Sequence, residues 1–387
     1  MGRASARGLL VAFSCLLVAG GCTAPVSAQN RSAAARAPAP ADRPPVALRT
    51  PPVIEAAAPP PAPASRLWPC KRLYNADYVD VRVIGDRYGL KASWVVRGRI
   101  MQLADAHGRV RLRFENRIRD FELDGIRVFM GDNTVLDEGS LCVGKIDVIK
   151  TIVPLLNPVE HAGQLPAPPR LIVLDAGHGG IDSGARNQAL HIEEKNVTLD
   201  VVLRLWKLLE RRGYRVILTR GDDTKLAVAQ LTDLEQRTEV AIRANADLFL
   251  SVHFNSAVQT VTGTETYVMT PQFQASSGGG KDDMVNKAFP GNRQDFANVV
   301  LGYQLHRSLL ANLKTADRGY RRGRLLVLKF SECPAALVEP AFLSNPAEAR
   351  RLETPEFREQ IARALADGID GYSAVLAAMR APGAGHG

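Results

Sequence analysis

The chain has only five cysteines in 387 residues, and none of them forms a C-x-x-C pair. This absence argues against a cysteine-based zinc site. The sequence also has no HExxH motif, which argues against a thermolysin-like metallopeptidase. Cys70 and Cys142 bracket one small predicted module, so in an oxidising compartment they could form a disulfide or remain two buried thiols.

Aromatic residues are also scarce, at 6% of the chain, and no nucleic-acid-binding motif is present. The formal net charge of +9 is dispersed along the sequence. Arg109, Arg111 and Arg113, for example, alternate as the solvated face of a strand does. We therefore expect no nucleic-acid partner, and at most a loose attraction to an anionic envelope.

One apolar run stands near the start of the chain, and no other segment reaches transmembrane length. Arg3 and Arg7 precede Leu9–Ala19, which is too short to span a bilayer comfortably but suits a secretory signal in residues 1–28. Cleavage after Val26-Ser27-Ala28 competes with a lipoprotein box, Ala19-Gly20-Gly21, ending at Cys22. The sequence thus predicts export to the periplasm, either as a free protein or tethered to the membrane through a lipidated Cys22.

Composition divides the rest of the chain into segments. Residues 29–66 are mostly Ala and Pro, which predicts a disordered, extended linker. Residues 67–158 predict a small α+β module, 159–169 a shorter linker, 170–380 the main domain and 381–387 a disordered tail.

Within the small module, the pattern predicts a helix over Tyr78–Gly89 and strands that include Val95–Ile100. Its Asp124-Gly125 turn and its final Pro154-Leu155-Leu156 segment resemble the small domains called copper amine oxidase N-terminal-like. The module has no cluster of metal-binding residues that would suit copper. We interpret it as an accessory binding or docking module.

The rhythm after residue 170 is strand, helix, strand, which predicts an α/β domain with a three-layer, open, mostly parallel sheet flanked by helices. The helices begin with Glu194–Arg212 and end with Pro355–Met379. The predicted strands are Leu171–Leu174, Arg215–Leu218, Leu248–Val252, Glu265–Met269, Leu325–Lys329 and Ala335–Val338.

Three of these apolar runs lead directly to a residue that can bind a metal or move a proton: His178, His253 and Glu339. Because the carboxyl ends of parallel strands share one edge of a sheet, these residues can converge there. Two imidazoles and a carboxylate form the ligand set of a catalytic zinc that keeps one position open. Each residue also has a plainer interpretation: a loop histidine, a core histidine and a structural ion-pair partner, respectively.

The carboxylate ligand is not fixed by spacing alone. Glu194 opens a predicted helix, but Glu193 is adjacent and His191 is three residues earlier, so all three stay open. Asp175 is a candidate for the partner that orients an imidazole.

A family resemblance covers residues 171–378 and resolves this choice. The residues His178-Gly179-Gly180, Asp182, Glu194-Lys195, Ser251-x-His253-x-Asn255, Gly263-x-Glu265-x-Tyr267, Asp317-Arg318-Gly319 and Glu339-x-x-Phe342-Leu343-Ser344-Asn345-Pro346 resemble the zinc-dependent N-acetylmuramoyl-L-alanine amidases of the bacterial wall. The resemblance implies one catalytic Zn²⁺ with the ligands His178, Glu194 and His253, and Glu339 as the catalytic glutamate.

The resemblance also implies the reaction, which is hydrolysis of the amide between N-acetylmuramic acid and the L-alanine of the peptidoglycan stem. It allows an activator protein as a partner. The polar segment 271–295 is then either a surface loop or a regulatory lid over the metal. Two other functions remain open: a carboxypeptidase-like zinc hydrolase of stem peptides, and a non-catalytic wall-binding or activator protein that kept the fold.

Overall fold

The structure is a computed structural model that describes residues 68–227, 230–278 and 284–380. Some sequence predictions lie outside the described residues: the export signal with Cys22, the linker 29–66, the tail 381–387 and residues 279–283 of the polar segment. Among the described residues, no helix combines the length and apolar character needed to cross a bilayer.

The N-terminal part of the described chain is built from short antiparallel strands and a few helical turns. Its strands are Lys71–Leu73 (β1), Ala76–Asp80 (β2), Lys91–Val96 (β3), Ile100–Ala104 (β4), Val110–Glu115 (β5), Asp120–Leu123 (β6), Ile126–Phe129 (β7), Val135–Asp137 (β8) and Ser140–Gly144 (β9). Its helices are Val81–Arg87 (α1), Lys145–Asp147 (α2) and Val153–Leu156 (α3), with a π-helical turn at Val148–Ile152 between the last two and a 3₁₀ helix at Pro158–Gln164 after them.

Two elements predicted in this part were wrong in detail. The helix predicted over Tyr78–Gly89 begins only at Val81, because residues 78–80 pair with β9 and the Asp80 side chain caps the helix by accepting from Arg82 N at 2.8 Å. The strand predicted over Val95–Ile100 is interrupted by a turn at residues 97–99 that joins β3 to β4. Cys70 and Cys142 are both free thiols, the first exposed and the second buried.

The C-terminal part alternates strands and helices. Its strands are Leu171–Ala176 (β10), Arg186–Asn187 (β11), Ile192–Glu193 (β12), Arg215–Leu218 (β13), Leu248–Val252 (β14), Thr264–Met269 (β15), Asp317–Gly323 (β16) and Ala335–Glu339 (β17). Its helices are Glu194–Arg211 (α4), Gln230–Arg243 (α5), Asp295–Leu313 (α6), Leu326–Lys329 (α7), Pro346–Glu353 (α8) and Pro355–Ala378 (α9), with a 3₁₀ helix at Pro290–Gln294.

The predicted α/β architecture is confirmed. The strands of the C-terminal part lie in the order β13-β10-β14-β17-β15-β16, and every neighbouring pair is parallel except β17 with β15. Helices α4, α6 and α9 pack on one face of this sheet, while α5 and α7 pack on the other. The segment Leu325–Lys329 was wrongly predicted as a strand; α7 lies there, with Val327 and Leu328 buried against the second face.

The sheet does not end at β16. Tyr320 of β16 pairs in parallel with Val128 of β7, so β7, β6, β5, β4 and β3 continue the same sheet. The N-terminal part is therefore joined to the C-terminal part through backbone pairing. The boundaries proposed from composition, 67–158 and 170–380, remain predictions.

Candidate metal centre

His178 lies in the turn that follows β10, with its backbone in the left-handed region at φ +62°. Two buried arginines hold this turn by donating to its backbone carbonyl groups. Arg237 donates to the oxygens of Ala176 and His178, each at 2.8 Å, and Arg220 donates to those of Ala176 and Gly177 at 2.9 and 3.0 Å. Sequence reasoning missed both arginines. The one available signal was Asp233, which lies four residues before Arg237, the spacing of an ion pair within a helix.

Glu194 is the first residue of α4 and is almost completely buried. Its Oε1 lies 2.9 Å from His253 Nδ1 and accepts from Phe254 N at 3.0 Å. Its Oε2 lies 3.1 Å from His178 Nε2 and accepts from Ala185 N at 2.8 Å. One carboxylate thus faces both imidazoles, and backbone N–H groups fix its orientation.

Gly184 leaves the space in which the Glu194 carboxylate and the His178 imidazole come together. Gly184 has φ +63°, and a Cβ added there would lie 2.5 Å from Glu194 Oε2 and 2.6 Å from His178 Cδ2. A side chain at position 184 would therefore both strain the backbone and displace the two groups.

The structure brings together all three residues that the resemblance implied as ligands. Their candidate ligand atoms all lie within 4.8 Å of one another. The rings of His178 and His253 meet edge to face, with centroids 4.9 Å apart. The two rivals lie elsewhere: Glu193 pairs with Arg186 at 3.2 Å, and His191 occupies the turn before β12.

The electrostatics of the cluster follow from its burial and its mixed charges. Burial opposes the charged form of His178, yet contacts with Asp182 and Glu194 raise its pKa to about 9. Burial also opposes ionisation of Glu194, but the two imidazoles hold the pKa of this carboxyl well below its usual value. The site therefore keeps a carboxylate ionised in a buried position, which is the state that a metal ligand requires.

The carboxylate beside the His178 imidazole is Asp182, and the candidate Asp175 lies elsewhere. Asp182 Oδ1 lies 3.1 Å from His178 Nδ1. Asp175 is fully buried and accepts hydrogen bonds from Thr219, Ser251 and Arg237 at 2.7 to 2.8 Å. Asp175 thus stabilises the strand end beneath the turn, and none of these three donors is an imidazole.

Glu339 ends β17, the strand next to the one that leads to His253. The N–H of His253 donates to the oxygen of Val338 at 3.0 Å, which places Glu339 beside the cluster. Its Oε2 is buried and has no hydrogen-bond partner among the described residues. Burial, followed by the charges of Glu194 and Glu265, raises the pKa of Glu339 well above the ordinary carboxyl value.

The donor set suits zinc. Two imidazole nitrogens and one carboxylate are the ligands that a catalytic Zn²⁺ takes when it keeps one position for substrate or water, and a metal that binds here would displace the proton that the raised pKa keeps on His178. Asp182 lies beside the far nitrogen of His178 and acts on this imidazole through its charge, since that nitrogen makes no hydrogen bond among the described residues. The buried Oε2 of Glu339 supplies a proton-accepting atom next to this set.

Comparison with known proteins identifies the family that the sequence resemblance implied. Residues 172–371 match the family model Amidase_3, described as N-acetylmuramoyl-L-alanine amidase. The uncharacterized protein YqiI of Bacillus subtilis is 32% identical over 56% of this chain and 91% of its own length. The amidase AmiA of Escherichia coli is 30% identical over 52% of this chain and 76% of its own.

The amidase LytC of Bacillus subtilis is 34% identical over 52% of this chain, which spans only 35% of that relative. The similarity to all three relatives is thus confined to about half of this chain, whereas the family match covers the strands and turns that carry the site. The chain therefore belongs to the Amidase_3 family of N-acetylmuramoyl-L-alanine amidases.

Proposed function

We propose that this amidase uses a Zn²⁺ held by His178, Glu194 and His253 to hydrolyse the bond between N-acetylmuramic acid and the L-alanine of the peptidoglycan stem. Glu339 is the acid–base residue in this proposal. One observation carries it: three ligand atoms on different elements lie within 4.8 Å of one another, on the sheet edge where Glu339 ends the neighbouring strand.

The reaction needs a nucleophile and a proton donor, because an amide is a poor electrophile and an amine is a poor leaving group. A bound Zn²⁺ supplies a Lewis acid that polarises the scissile carbonyl and makes water acidic enough to react near neutral pH. His178 and His253 keep their nitrogens facing the site, and Glu194 remains ionised between them.

Glu339 moves the proton. Its Oε2 accepts a proton from the attacking water, the C–N bond breaks, and the same oxygen returns the proton to the departing nitrogen of L-alanine. The raised pKa of Glu339 suits the first half of this exchange, since a carboxylate with an ordinary pKa is a weaker base towards the attacking water. The products are a carboxylate on the lactyl group and a peptide with a free amino terminus.

The direct test is digestion of purified peptidoglycan with and without a chelator, followed by mass spectrometry. Glycan chains stripped of peptide, together with peptides that begin with a free L-alanine, support the proposal if a chelator suppresses both. Shortened stems that remain attached to the glycan indicate a carboxypeptidase-like hydrolase. Binding to the wall without any product indicates a non-catalytic protein.

We also propose that the protein is exported and works in the periplasm, with a lipid on Cys22 as its membrane tether. The sequence of the first 28 residues and the location of its substrate support this proposal. Replacing Cys22 with Ala should move the protein from the membrane fraction to the soluble periplasmic fraction. An unchanged distribution contradicts lipidation but leaves export intact.

A further inference from the structure

Glu348 is a buried carboxylate near the site that the proposed chemistry does not use. It lies in the first turn of α8, at 4% exposure. The side chain of Asn345 caps this helix by accepting from the N–H groups of Ala347 and Glu348. A glutamate at this position of a helix often accepts from the N–H of the capping residue, but here the Asn345 N–H donates to the oxygen of Phe342 at 3.1 Å. The Glu348 carboxylate is therefore not used to cap its own helix.

Instead, the Glu348 carboxylate joins two loops. Its Oε1 accepts from Gly263 N at 2.9 Å and from the Thr262 hydroxyl, both in the loop before β15. Its Oε2 accepts from Phe342 N at 2.7 Å, in the loop after β17. Because a buried N–H group without an acceptor is unfavourable, these bonds hold the two loops at a set spacing.

These loops continue the strand pair that contains Glu339. β15 and β17 are antiparallel, and Glu265 opposite Glu339 is the last pair of their ladder. The same register, continued outward, places residue 262 opposite residue 342. Glu348 bonds to both of these residues. Its carboxylate thus takes the place of a backbone hydrogen bond at the point where the pairing of the two strands has ended.

The position of the Glu339 carboxylate depends on this region of the backbone. Its buried Oε2 has no hydrogen-bond partner among the described residues, so the backbone at the end of β17 determines where this oxygen lies. On the β14 side, Asn255 holds the loop after β17 through backbone bonds with Ala341 and Leu343, at 3.0 and 2.8 Å. Glu348 holds the same loop from the β15 side.

We propose that Glu348 is a positioning residue for Glu339: it sets the spacing of β15 and β17 that keeps the acid–base oxygen beside the metal ligands. The inference rests on the proposed function, since the role of Glu339 belongs to that proposal. A displacement of about 1 Å can lower a rate by about 100-fold, so a residue that touches only the backbone can control turnover.

The test is a double-mutant cycle on the zinc-loaded protein with a soluble MurNAc-peptide, at a temperature where circular dichroism shows every variant folded. Glu348→Gln keeps the shape of the side chain, but its amide can accept on one side only, so one loop loses its bond. Its kcat should fall by about 10- to 100-fold, while KM and Zn²⁺ content stay native. A matched control, Glu353→Gln, changes an exposed glutamate of the same helix and should keep native kcat.

The cycle separates positioning from a merely structural role. If Glu348 acts through Glu339, adding Glu348→Gln to Glu339→Gln should lower kcat by less than about twofold, because the group that exchanges the proton is already absent. A further loss as large as in the native background shows that Glu348 acts independently of Glu339 and overturns the proposal. Native kcat in a folded Glu348→Gln variant overturns it as well.

The two proposals fail in different ways. If the native protein releases no peptide, or if Glu339→Gln keeps native kcat, the proposed mechanism is wrong and the role of Glu348 with it. If Glu339→Gln is impaired and Glu348→Gln is not, the positioning role alone is wrong. Should Glu348→Gln not fold, Thr262→Val gives the answer, because it removes one bond to the Glu348 carboxylate. Its smaller loss of kcat should vanish in the Glu339→Gln background, and native kcat in Thr262→Val would overturn the positioning role.

Discussion

Replacing Glu339 with Gln tests the acid–base assignment with the least disturbance of the fold. The two side chains have nearly the same shape, and the buried Oε2 has no hydrogen-bond partner among the described residues that the change could break. Gln cannot exchange a proton, and positioned acid–base groups contribute about 10²- to 10⁴-fold in rate. The expected loss in kcat corresponds to about 3 to 5 kcal/mol of barrier.

The same substitution should leave the metal and the fold in place. Glu339 is not among the three grouped ligands, so the Zn²⁺ content should not change. Glu194 and Glu265 both disfavour a negative charge at position 339, so a neutral amide should leave stability unchanged or slightly higher at pH 7. Steady-state kinetics on muropeptides, elemental analysis and thermal unfolding measure these three quantities.

A matched control and a refuting result complete this prediction. Glu332→Gln alters a more exposed glutamate seven residues earlier, whose contact with Arg293 is 3.9 Å, and it should keep native kcat. If Glu339→Gln retains more than a tenth of native kcat, Glu339 is not the acid–base residue. If instead the variant loses its zinc, Glu339 acts as a ligand and the ligand set must be revised.

Three further changes test the site and its support. After chelation, added zinc should restore the activity of the native protein but not that of Glu194→Gln, because the variant should bind Zn²⁺ too weakly; full rescue of the variant in a dialysis assay would contradict the role of Glu194 as a ligand. Arg237→Met removes the cation that pairs with Asp175 at 2.8 Å, and leaving that buried carboxylate unpaired should cost about 3 to 5 kcal/mol in urea unfolding; a shift below 1 kcal/mol would contradict this view. Burial raises the pKa of Asp147 to about 6, so the folded protein holds a proton that the unfolded chain releases near pH 4, and stability should fall by about 2 kcal/mol as pH rises from 4 to 6. Unfolding of Asp147→Asn across that window should lack this fall, and an unchanged pH profile would refute it.

Strand ends could be predicted from the sequence because buried parallel strands appear as continuous apolar runs. Residues 171–174 and 248–252 fit that pattern, and the residues after them, His178 and His253, do converge. The same reasoning failed at Leu325–Lys329, because a short apolar run fits a helical turn as well as a strand. There the first residue is extended and the next four form α7.

The choice of ligand among His191, Glu193 and Glu194 could not be derived from spacing. It depends on the path of the turn between β10 and α4, where His191 adopts φ +53° and Glu194 receives the N–H of Ala185. The hydrogen bond between Ala185 and Glu194 joins residues nine positions apart across a loop with left-handed backbone, and no periodic sequence pattern encodes such a contact. For the same reason the actual neighbours of the candidate Asp175 could not be predicted: Thr219, Ser251 and Arg237 come from three distant segments of the chain.

The strand pairing and hydrogen bonds that join the N-terminal part to the C-terminal part could not be predicted either, and they hold the N-terminal part in a fixed orientation. Composition suggested a module on a linker, whereas the structure ties it in place at several points. Arg127 N donates to Asp317 Oδ2 at 2.8 Å, and Arg119 donates to the oxygen of Ala275 at 2.7 Å. The hydroxyl of Tyr303 in α6 donates to the oxygen of Leu123 at 3.1 Å. A part held by these bonds and by strand pairing shares the orientation of β16, so it keeps a fixed position relative to Glu339 on the same sheet.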